Sequence, residues 1–117
     1  MKSEKRFRVH FNKGKQWFDV YIADSQRKFM ARESCYAYYQ PASPRNVRRG
    51  MFGTVHFSKT GTGLVAHELL HLLIDWVRVG RSHTITERNE ESVVLMFGEM
   101  VRAFWNKYYQ WEKKTTL

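Results

Sequence analysis

Near the start of the chain, apolar and polar residues alternate one by one. In RFRVHF, Phe7, Val9 and Phe11 alternate with Arg6, Arg8 and His10. WFDVYI repeats the pattern, with Phe18, Val20 and Ile22 on one face and Trp17, Asp19 and Tyr21 on the other. A period of two marks a strand buried on one side. The link NKGK carries Asn12 and Gly14, which suit a tight hairpin. MFGTVHF, residues 51 to 57, is expected to be another strand, while KFMAR fits either a weak strand or a short helical turn. YYQPASPRNVRRG, residues 38 to 50, is expected to be a loop, punctuated by Pro41, Pro44 and Gly50.

In the second half the apolar pattern becomes helical. A helix is expected from Leu64 to Val79, starting after Thr62 as N-cap and stopping at Gly80. A second should run from about Ile85 to Lys113. Thr84 and Glu87 have capping-box spacing, and Val93, Val94, Phe97, Val101 and Phe104 form an apolar stripe. The expected fold is α+β, a small N-terminal antiparallel or mixed sheet followed by one helix and an antiparallel C-terminal helix. A length of 117 residues fits a single domain over residues 1–117.

Composition adds limits. Apolar residues make up 43% and aromatics 15%, enough for a core. The start has no apolar run of the secretory type, and no window resembles a membrane span. Cys35 is the only cysteine, which excludes a disulfide scaffold and leads to the expectation of a cytoplasmic, membrane-free protein. Twenty Lys and Arg against 11 Asp and Glu give a net charge of +9. Such a surface attracts nucleic acid or an acidic protein, or simply keeps a small protein in solution. The densest basic stretch holds Arg45, Arg48 and Arg49.

The first helix carries the candidate chemistry. HELLH sets His67 and His71 four apart on one helical face, where both imidazoles can reach one zinc ion. Glu68 is offset by about 100° around the helix, beside the metal and placed to act as the base for a water activated there. A chance five-residue match is the plain alternative. Against it, the motif lies mid-helix with apolar flanks, and a His-Glu-His cluster buried there needs a compensating partner.

A catalytic zinc usually has three protein ligands. His71 lies roughly 12 Å of rise before its helix ends, and Gly80 to Thr84 is a short return loop. On the returning helix Glu90 and Glu91 lie roughly 8 to 9 Å in, whereas Glu87 is too shallow at about 3 Å and Glu99 too deep at about 21 Å. Glu91 is preferred because Gly98 shares its face and would let the helices approach. Glu90 remains the alternative, and a helix start attracts carboxylates in any case.

HELLH followed by a glutamate on the next helix resembles the gluzincin metallopeptidases, the thermolysin-like clan. The likeness covers residues 64 to 98 and extends to Glu91, Phe97 and Gly98 in EESVVLMFG. In size the chain resembles the minimal members, the minigluzincins. Leu95 stands where the clan has an acid supporting a ligand histidine, and Asp75 is a candidate to replace it. The resemblance implies that the strand before the zinc helix lies along the cleft and pairs with substrate. GTVHF, residues 53 to 57, matches its place, although an ordinary edge strand fits equally. Tyr36, Tyr38 and Tyr39 are candidate hydroxyl donors to an oxyanion, with packing as their simpler role. His56 and His83 are expected to be surface or hydrogen-bonded residues.

The expected function is peptide-bond hydrolysis by a zinc metallopeptidase acting on a peptide or protein, with His67, His71 and Glu91 as ligands and Glu68 as base. The alternative is a basic nucleic-acid-associated or partner-binding protein with a structural or degenerate zinc site.

Overall fold

A computed structural model describes residues 4–23, 37–58, 60–80 and 85–115. Four strands, β1 (Glu4–Phe11), β2 (Gln16–Ala23), β3 (Ala37–Pro41) and β4 (Met51–Phe57), form one sheet in the order β1-β2-β4-β3. The sheet is mixed: β1 with β2 and β3 with β4 are antiparallel, and β2 with β4 is parallel. Among the described residues three helices accompany it. These are α1 (Pro44–Arg48), α2 (Thr62–Asp75), which runs into a π-helical turn at Trp76–Gly80, and α3 (Glu90–Thr115). The architecture is α+β, with all four strands preceding the two long helices. No helix among the described residues is long and apolar enough to cross a membrane.

The alternating segments pair as expected. Lys15 N–H donates to the Asn12 carbonyl at 3.1 Å, and Asn12, Lys13 and Gly14 all adopt positive φ to turn the chain. Between β2 and β4 the register shifts by one extra residue on β4. Gly53 lies in that bulge at φ 129, where a side chain would collide with the Gln40 carbonyl of β3.

Several expectations are corrected. Residues 38 to 50 are not one loop, since they hold most of β3 and all of α1. Tyr38 and Tyr39 are good strand formers, and Pro41 comes last in β3. Ser43 Oγ accepts from Asn46 N–H at 3.2 Å, and Pro44 stands at a helix start that needs no N–H there. β4 lies inside the sheet between β2 and β3, so GTVHF has no free edge, and β3 is the terminal strand on that side. Thr62 is the first residue of α2 rather than its cap, and Gly61 caps without a side-chain bond.

The last helix starts at Glu90 rather than near Ile85. Thr86 and Asn89 first bond each other's backbone, Thr86 N–H to Asn89 Oδ1 at 2.8 Å and Asn89 N–H to Thr86 Oγ1 at 3.3 Å. KFMAR, Thr84, Tyr36, Cys35 and His83 lie outside the described residues.

The core lies between the sheet and the two long helices. Phe7, Val9, Phe11, Phe18, Val20, Val55 and Phe57 line the inner sheet face. Val65, Leu69, Leu72 and Trp76 face them at intervals of three and four residues. From α3, Val93, Met100 and Phe104 are buried, with Phe97, Tyr108 and Trp111 partly so. Val94, expected in the stripe, is exposed. Apolar residues flank the stripe on both sides, and contact with β1 selects the face: Phe7 meets Phe104 at 6.0 Å and Trp111 at 5.6 Å between ring centroids.

Candidate metal centre

α2 has a core side and an outward side. The residues that face the sheet leave His67, Leu70, His71 and Ile74 pointing away from it, all four exposed. The two imidazoles therefore do share one face, with ring centroids 5.0 Å apart. They are not buried, however: the His67 side chain is 67% exposed. Only the carboxylate between them is enclosed, Glu68 being 5% exposed. The cost of a buried polar group thus falls on Glu68 alone.

Glu68 is electrostatically conspicuous. One of its oxygens lies 3.9 Å from His67 Nε2, beyond a hydrogen bond, and no hydrogen bond from a described residue reaches the carboxylate. Burial raises its pKa above the ordinary carboxylate value, and the neighbouring His67 and His71 oppose that rise. A carboxyl moved toward neutrality beside two open imidazoles suits a general base.

Tyr39 and Asp75 tie this helix to the terminal strand. The Tyr39 hydroxyl lies 2.9 Å from Asp75 Oδ2 and 2.9 Å from the Phe52 carbonyl, and its single proton serves one at a time. Burial and the Asp75 carboxylate hold this hydroxyl well above the usual tyrosine pKa, so it stays protonated. Its ring lies parallel to that of His71 at 6.4 Å. Tyr39 is thus committed to a strand–helix link, not free for an oxyanion. Asp75 continues the four-residue spacing from His67 and His71, but it receives Tyr39 and, at 3.5 Å, Arg78, and neither histidine. That link was invisible in sequence because its partner is thirty-six residues away.

The third donor is not brought in. Glu91 is exposed in the first turn of α3 and forms no ion pair with His67 or His71. Among the described residues no three His, Cys, Asp or Glu side chains gather as a metal group. The rise that singled out Glu90 and Glu91, and the Gly98 contact that favoured Glu91, do not survive. Helix α3 begins at Glu90, so Glu90 and Glu91 do not lie 8 to 9 Å of rise inside it, and Gly98 faces open space, with nothing within 4 Å of a side chain built there. What remains for Glu91 is its place in the gluzincin pattern. Asp24, Glu33, Cys35 and His83 lie outside the described residues.

Elsewhere, His56 is buried on the other sheet face, stacked between Tyr21 at 4.8 Å and Tyr38 at 4.4 Å and bonded to Thr54 Oγ1 at 2.8 Å. It is hydrogen-bonded, as expected. As a donor set, His67 and His71 fit two ligands of a tetrahedral zinc site, and Glu68 fits the base beside it. No protein-family model, no curated protein and no solved structure matches the chain.

Proposed function

We propose that the chain is a zinc-dependent metallopeptidase hydrolysing a peptide or protein substrate, with His67, His71 and Glu91 holding the ion and Glu68 as general base. One observation carries this: a largely buried carboxylate that no described residue hydrogen-bonds, flanked by two exposed imidazoles on one helical face, 5.0 Å apart. Burial disfavours the charged form of this carboxylate, and a cation held beside it offsets that cost. Zinc bound there supplies a Lewis acid that acidifies water and polarises a carbonyl. Glu68 takes the water proton and delivers it to the leaving amine. Tyr39 holds β3 against α2 beside His71, fixing the terminal strand along the site.

The competing reading is a basic, partner-binding protein whose zinc site is structural or degenerate, favoured by the absence of a third donor among the described residues. Glu68→Gln separates the two. In a peptidase it abolishes cleavage of an unstructured polypeptide pool and leaves zinc content unchanged. Wild-type protein loaded with zinc and inert toward every such pool contradicts hydrolysis.

A further inference from the structure

At the hairpin end of the sheet, the β1–β2 turn and α1 border an open hollow of about 300 Å³. Lys15 lines it from the turn and Arg48 and Arg49 from the helix, with the side-chain amides of Asn12 and Gln16 between them. Lys13 and Arg45 lie beside it in the same two segments and are exposed. None of these five cations is ion-paired with a described residue. Arg8, in contrast, is held by Asp19 at 2.8 Å. A carboxylate does border the hollow, since Glu99 accepts from Asn12 N–H at 2.7 Å, but the cations outnumber it.

The walls are fixed in place. Gln16 Oε1 accepts from Trp76 Nε1 at 3.0 Å and from Asn12 Nδ2 at 2.8 Å, and Trp17 N–H donates to the Gly50 carbonyl at 2.9 Å. Gly50, at φ 103, lets α1 end against the hairpin, because a Cβ there would sit 2.7 Å from the Lys15 carbonyl oxygen. With the backbone that carries the charge held in place, binding has only the long side chains to order.

We propose that this hollow binds the phosphodiester backbone of nucleic acid without sequence preference. Guanidinium forks and an ammonium on opposite walls match phosphate oxygens in geometry and charge. Arg45 and Arg48/Arg49 are one helical turn apart, about 5 Å along the axis, so they present a row of charge to a row of phosphates. Val47 is the one apolar side chain in the lining, which gives an acidic peptide little to bury and a base edge no specific readout. The inference does not depend on zinc. Through the Gln16–Trp76 bond, however, the hollow adjoins the end of the HELLH helix, so bound nucleic acid would lie near the proposed peptidase site.

Anisotropy titrations of a labelled oligonucleotide, single-stranded and annealed, test the proposal. With three phosphates neutralised on duplex, affinity falls about 40-fold between about 50 and 200 mM salt. Lys15→Ala with Arg48→Ala and Arg49→Ala should weaken binding at least about tenfold and flatten the salt slope by roughly two to three units. Arg88→Ala with Arg102→Ala and Lys107→Ala, an equal loss of charge elsewhere, should retain most of the affinity. Melting curves check that both triples fold, and Arg45→Gln with Arg48→Gln repeats the test without touching the hairpin. Equal loss in both triples, or no binding at low salt, overturns the proposal. Displacement of the oligonucleotide by poly-glutamate at equal charge overturns it too, in favour of an acidic protein.

Discussion

Phe104 and His67 project from the two long helices, but into opposite surroundings. Phe104 is fully buried, with Phe7, Phe57 and Trp105 around it at centroid distances of 6.0, 5.7 and 5.1 Å. His67 stands open, and Leu70, one turn further along the same helix, is open as well at 46% exposed. On the sheet side of α2 every position is filled by the protein itself. On the outward side, two imidazoles stand exposed beside a largely buried carboxylate that no described residue hydrogen-bonds. Packing explains the first face, and the second is where the proposed metal would bind.

The largest effect that would sharpen this contrast lies in the core. Phe104→Ala should cost about 3 to 5 kcal/mol, measured by denaturant unfolding, because its neighbours cannot collapse into the space. His67→Ala in metal-free protein should change stability by no more than about 0.5 kcal/mol, as expected for an exposed side chain. A large loss from His67→Ala without metal would mean that the outward face is packed after all.

A smaller effect comes from Glu68, and its sign depends on pH. Its folded-state pKa is raised, so the folded chain binds this proton more readily than the unfolded chain does. In metal-free protein the associated stability is present at acid pH and is lost as pH rises through the raised value. Glu68→Gln should therefore stabilise metal-free protein at neutral pH, by on the order of 1 kcal/mol, with the gain vanishing on acidification below the ordinary carboxylate range. A gain that persists at acid pH would show that the carboxylate is not the source.

These two faces were not equally legible in the sequence. The period-two alternation of Phe7, Val9 and Phe11 identifies β1 because a half-buried strand has one arrangement that satisfies it. The spacing of His67 and His71 likewise identifies a shared helical face. β3 and α1 were hidden because Pro41 and Pro44 read as loop signals, although Pro also suits a strand end and a first helical turn. The start of α3 was misplaced because Thr84 and Glu87 imitate a cap that Thr86 and Asn89 provide. That five-residue shift displaced the estimate for Glu90 and Glu91, since rise along a helix is counted from its true start. The Tyr39–Asp75 link was out of reach, because pairing between distant segments is set by topology.

The smallest effect concerns Gly98. Had it been needed for close helix approach, a methyl group there would be costly. With open space around it, Gly98→Ala should raise stability by about 0.5 to 1 kcal/mol through helix propensity alone. A loss of stability would restore the tight contact and, with it, the geometric case for Glu91.

Metal analysis of protein purified without chelator bears most directly on the central claim that HELLH is a metal centre. About one zinc per chain is expected, lost in His67→Ala and in His71→Ala, and weakened in Glu91→Ala more than in Glu90→Ala. Wild-type protein that contains no zinc, takes none up, and melts identically with and without chelator would contradict it.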